Sequence, residues 1–189
     1  MDPADAESVG IGHLEKNWAI SFPEAHIWLQ ARQPGRGICL AGGITMGQDA
    51  FLMGYRNDAK GIELDFRPPF AMKFFRVYGP FMEIKIDWEN RTFECDVSDF
   101  TQRMVIKATA PKGTFYSLSG PFSEGHRDNW LAQSLRGEVS VDIYKRKGLF
   151  GWEHILTDNF DKAGLEFGGT HYPDPVSYTH LTLPTTPYV

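Results

Sequence analysis

The chain has 189 residues, of which 42% are hydrophobic and 23% charged, values of an ordinary globular domain that exclude a disordered, collagenous or coiled-coil protein. Nineteen basic against twenty-four acidic residues give a net charge of -5, which favours neither binding to a nucleic-acid backbone nor binding to an anionic membrane surface. Fourteen Phe, seven Tyr, five Trp, nineteen Gly and twelve Pro point instead to strands and turns.

The first residues, Met1 to Glu7, are acidic and without an apolar run, so neither a secretory signal nor a transit peptide is read there; the protein is cytosolic or its front is missing. No stretch reaches the roughly 20 apolar residues that a helix needs to cross a bilayer. From there on, apolar residues recur with period two between clusters of Gly, Pro, Asn and Asp, the pattern of half-buried antiparallel strands. In chain order the expected strands are His26 to Ala31, Gly37 to Gly42, Ala50 to Arg56, Gly61 to Phe66, Lys73 to Val77 and Met82 to Trp88. Thr92 to Ser98, Arg103 to Ala110, Gly113 to Ser119, Gly137 to Arg146, Trp152 to Thr157 and Gly164 to Gly169 follow, and some of the twelve are expected to merge or fail.

Trp88-Glu-Asn-Arg-Thr-Phe reads as a tight hairpin around Glu89 and Asn90, which makes the Asn90-Arg91-Thr92 sequon a turn. His126 to Leu135 is the single helix candidate, or else a long loop. The fold class is therefore all-β, an antiparallel sandwich or barrel with at most one short helix. Cys39 and Cys95, each flanked by apolar residues, are expected to be small buried hydrophobes rather than a disulfide. From Val176 the composition shifts to an uncharged Thr/Pro-rich run, so residues 173–189 read as a disordered or artefactual tail and 1–14 as an extension.

Generic chemical signatures are absent. Ala41-Gly42-Gly43-Ile44-Thr45-Met46-Gly47 lacks the Lys-Ser/Thr of a phosphate loop, Cys and His are too scattered for structural zinc, and no Gly-x-Ser-x-Gly elbow occurs. One strand is more informative: in His26-Ile-Trp-Leu-Gln-Ala the period places His26, Trp28 and Gln30 on one face and Ile27, Leu29 and Ala31 on the other. The aromatic-polar face lines a ligand cavity or looks outward; the segment alone leaves both open.

Glu15-Lys16-Asn17-Trp18, Phe22-Pro23, Trp28-x-Gln30 and Ala41-Gly42-Gly43 stand in the order and spacing of motifs of the tocopherol cyclase family, which the chain resembles. The likeness continues through Val105 to Pro111, Gly137 to Tyr144 and Leu165-Glu166-Phe167-Gly168-Gly169, so it spans roughly residues 15–169, within a domain taken as 15–172. The resemblance implies a lipocalin/calycin-like β-barrel, a plastid setting, and a chain that corresponds to the carboxyl-terminal half of a longer protein. Family members differ by carrying an aromatic residue at the position of His26 and more Trp in the middle strands.

The activity so implied is closure of a prenylated benzoquinol, phytyl or geranylgeranyl, to a chromanol without a cofactor. The alkene beside the ring is protonated, and the neighbouring phenol oxygen captures the tertiary cation. Candidate acids are Glu94, Asp96 and Glu166, because burial would keep a strand carboxyl protonated. Trp18, Trp28 and Trp130 are candidate cation-facing walls, and His26 and Gln30 would orient the quinol hydroxyl. The expected partner is a hydrophobic prenylquinol drawn from lipid, with peripheral membrane contact and no nucleic acid. The alternative function is a lipocalin-like carrier without turnover; a third reading makes the chain one half of a two-barrel stack with an exposed apolar patch.

Overall fold

A computed structural model describes residues 23–73 and 81–169. Every strand ladder in them is antiparallel. The strands are β1 (Ala25–Gln33), β2 (Arg36–Thr45), β3 (Gln48–Asn57), β4 (Ile62–Phe66), β5 (Met72–Lys73) and β6 (Met82–Asp87). They continue with β7 (Thr92–Ser98), β8 (Gln102–Thr109), β9 (Tyr116–Phe122), β10 (Gly125–Lys147) and β11 (Gly151–Gly169). The one helical element among the described residues is a single 3-10 turn, Asp58–Lys60, capped by the side chain of Asn57 and closed by Gly61 at φ +61°.

The strands form one eleven-stranded sheet in the order β4-β3-β2-β1-β11-β10-β8-β7-β6, with β5 beside β3 and β9 beside β10. The all-β antiparallel class expected from the sequence is what the chain forms. Hydrogen bonding does not close it into a barrel among the described residues: the path ends at β4 and β6. The sheet instead rolls over its own apolar face. Phe51 of β3 meets Phe93 of β7 at 6.4 Å between ring centroids, and the Cys95 thiol lies 3.7 Å from the Met53 sulfur.

Period-two alternation decides that face. Ile27, Leu29 and Ala31 point inward with Ile38, Leu40, Phe51, Met53, Met104, Ile106, Phe160, Leu165 and Phe167, and all are buried. Cys95 is buried as expected, but Cys39 is exposed, because Ile38 and Leu40 take the inward positions on either side of it; neither cysteine is in a disulfide.

Two further expectations are corrected, and two of the expected strands merge as anticipated. His126 to Leu135 is neither helix nor loop but the first half of β10, pairing with β9 along one edge and β11 along the other. Its residues up to Asn129 are exposed on both faces and a bulge interrupts the register with β9, so no strand period was visible. Trp152 to Thr157 and Gly164 to Gly169 merge into β11. Gly113 to Ser119 starts late, because Gly113 sits in a turn at φ +80° and β9 begins at Tyr116. Of Lys73 to Val77, residues 74–77 lie outside the described residues. The Asp87–Thr92 hairpin is as expected, with Asp87 accepting the Asn90 backbone N–H at 2.9 Å and Arg91 at φ +52°.

Candidate functional site

The centre of the sheet, where β1, β11 and β10 run side by side, brings together residues from three distant parts of the chain. Trp28 stands opposite Glu166, and Glu166 stands opposite Gln133, so the three form one row across the outer face. In the next row His26 stands opposite Gly168, and beyond Trp28, Gln30 stands opposite Gly164.

The two glycines shape this site. A Cβ on Gly168 would lie 2.8 Å from Nε2 of His26, and one on Gly164 would lie 2.8 Å from Cζ3 of Trp28. Both rings therefore approach bare backbone on either side of Glu166, an approach that any larger residue would block. Imidazole Nε2 of His26 is 2.9 Å from Glu166 Oε1, and the Gln133 amide donates to Oε2 at 3.2 Å. The His26 side chain is 8% exposed and that of Glu166 18%, so the hydrogen bond between them is largely shielded from water.

Trp28 separates this pair from an open groove of about 830 Å³ on the outer face of β1 to β4. Small residues make its floor, Cys39, Ala41 and Gly54, with Leu52 at one side and Gln30 beside Trp28. Charged side chains, among them Arg32, Arg56 and Glu63, stand at its far end. Among the described residues the inner face carries the buried Phe93, Phe160 and Phe167. Of the two faces that the His26–Ala31 pattern left open, the aromatic-polar one looks outward.

The other expected site residues are elsewhere. Glu94 is exposed on β7 between Lys85 and Lys107 in neighbouring strands, a row of alternating charge on the outer surface. Asp96 is paired with Arg103, whose guanidinium also lies over Tyr144 at 5.1 Å. Neither carboxylate approaches the His26 pair. Trp130 packs over Gly120 and edge-on against Phe122 at 4.8 Å, with Arg127 against both rings. Trp18 and the Glu15 to Trp18 motif lie outside the described residues.

Comparison with protein-family models, curated proteins and solved structures finds no match in any of them. The residues of the site must therefore speak for themselves. Gln133 was missed by sequence reading because it lies in the segment taken for a helix. A second carboxylate of β11 was missed as well: Asp158, 3% exposed, faces inward. It accepts from Tyr55 Oη at 2.7 Å and Asn57 Nδ2 at 3.2 Å and is paired with Arg36. Arg36 also lies over the Phe160 ring at 5.4 Å. Burial, and then the hydrogen bond to Asp158, push the Tyr55 hydroxyl up to about 12. Every oxygen of Asp158 is engaged by protein, and the cluster ties β3 and the β1–β2 hairpin to β11. No group of three or more His, Cys, Asp or Glu among the described residues is arranged to hold a metal ion.

Proposed function

We propose that the chain is a tocopherol cyclase-like catalyst that closes a prenylated benzoquinol to a chromanol, with the His26–Glu166 pair as the proton source and Trp28 as the cation-facing wall. One observation carries the reading: a largely buried imidazole–carboxylate pair lies beside Trp28, and Trp28 itself lines a groove that also takes in the small residues Cys39, Ala41 and Gly54.

Ring closure needs a proton donor, a wall for positive charge and a fixed pose. The proton shared by His26 and Glu166 goes to the alkene carbon nearer the quinol ring, and the tertiary carbon becomes the cation. The Trp28 ring stabilises that charge through its quadrupole by about 0.5–2 kcal/mol. Gln30 orients the quinol hydroxyl, whose oxygen bonds to the tertiary carbon and whose proton restores the pair. Substrate and product have the same formula, so no electron donor enters. The prenyl tail follows the floor of Cys39, Ala41 and Gly54.

The test is an anaerobic assay of the full chain with phytyl-benzoquinol kept reduced by ascorbate, chromanol being read by chromatography. Turnover above the protein-free control is expected, falling about 100-fold or more in Glu166→Gln, in line with loss of a general acid. Trp28→Ala should lower it by about tenfold, the equivalent of one cation–π contact. Quinol binding without product would replace the cyclase by a carrier using the same groove, and turnover unchanged in Glu166→Gln would remove the pair from the chemistry.

A further inference from the structure

The hairpin that joins β10 to β11 ends in Gly148-Leu149-Phe150, three residues between the paired Lys147 and Gly151. Gly148 turns the chain at φ +64°. Leu149 is 81% exposed and Phe150 87% exposed, so two large apolar side chains stand in water at the tip and contribute nothing to the core. Behind them come Lys145, Arg146 and Lys147, and from residue 145 to 152 there is no acidic residue, in a chain whose net charge is -5.

The base of the tip is fixed. The Arg146 guanidinium lies 3.7 Å from the centroid of the Trp152 ring, its Nε donates to the Phe100 carbonyl at 3.1 Å, and its backbone N–H donates to the Thr101 carbonyl at 2.8 Å. Phe100, itself 68% exposed, extends the apolar surface at that base. Two protruding side chains are too little for a specific protein interface, which buries on the order of 1,000 Å². An apolar point with a collar of cations and an interfacial Trp is instead the arrangement that a bilayer surface with anionic headgroups accepts.

We infer that the β10–β11 hairpin is a lipid-insertion tip: Leu149 and Phe150 enter the acyl boundary of an anionic bilayer while Lys145 and Lys147 meet its phosphates. This goes beyond the ring-closure reading and stands without it, since its readout is binding, not turnover.

The experiment is co-sedimentation of the full chain with phosphatidylcholine vesicles with and without phosphatidylglycerol, at low and high salt. Binding to the anionic vesicles is expected, weakened by salt. Leu149→Ser with Phe150→Ser should weaken it about 100-fold, as expected for two large apolar groups kept in water. Lys145→Gln with Lys147→Gln should weaken it about 30-fold, at roughly a fivefold loss per charge. Neither pair of changes touches a buried residue, so thermal unfolding should match the parent, and each pair serves as a check on the other. The inference is overturned by absence of vesicle binding, by variants that bind as the parent does, or by lipid-free self-association that the serine variant abolishes, which would make the tip's partner a second copy of the chain.

Discussion

Asp158 and Glu166 are carboxylates of the same strand, eight residues apart, yet they face opposite ways and meet different partners. Ladder partners show why: Val139 stands opposite Phe160 but Gly137 stands opposite Ala163, so β11 spends one extra residue there and its alternation flips. Before the bulge Asp158 and Phe160 point inward; after it Ala163, Leu165 and Phe167 do, and Glu166 is turned outward. The inward carboxylate is held by Tyr55, Asn57 and Arg36, whereas the outward one is held by the His26 imidazole and the Gln133 amide on the outer face, beside Trp28. Both carboxylates have protein partners at each oxygen; what separates them is the face, Asp158 packed in the core with a guanidinium beside it and Glu166 outside with an imidazole and an amide.

The sharpest way to break that distinction is to remove each carboxylate. Asp158→Ala leaves Arg36 and the Tyr55 hydroxyl facing a void, and urea unfolding should show a loss of about 3–5 kcal/mol. Glu166→Gln replaces one acceptor oxygen with a donor NH2, which a flip of the Gln133 amide accommodates, and should cost only about 1 kcal/mol in the same experiment. Equal losses would erase the difference between lock and site.

A smaller effect sharpens the architectural side. The Tyr55 hydroxyl is raised to about 12 in the folded chain against the usual value near 10. The folded state therefore holds that proton where the unfolded chain has released it, and the stability it contributes is present below pH 10 and lost as pH rises toward 12. Tyr55→Phe should flatten this part of the stability profile relative to the parent; the same alkaline slope in both would contradict it.

Smallest of all is a test of the two faces themselves. Cys39 is exposed on the outer face, and burial holds the Cys95 thiol above the usual thiol range. A disulfide reagent should titrate one thiol in the folded chain and two in denaturant.

Much of the sheet could be read from alternation alone. β7 ends where its pattern ends, at Thr92 and Ser98, and the hairpin before it was visible in Asp87 to Thr92. The His26–Trp28–Gln30 face was legible as a face, but not its direction, because period two divides a strand without saying which side the rest of the chain will cover. Glu94 and Asp96 had the same strand setting in sequence as Glu166; what separates them is their neighbours, Lys85 and Lys107 for one and Arg103 for the other, which only the register supplies. Gln133 was hidden by a segment with no period at all, and the opposite faces of Asp158 and Glu166 by a bulge that even-numbered spacing cannot reveal.

The central claim is that the proton on the His26–Glu166 axis reaches the alkene. It is tested most directly by running the reaction in deuterium oxide and weighing the chromanol after its hydroxyl has been exchanged back. The account predicts one deuterium bound to the carbon next to the new ether-bearing centre, formed at a rate that collapses in Glu166→Gln. Chromanol without carbon-bound deuterium, or labelled chromanol formed equally fast by the variant, would contradict it.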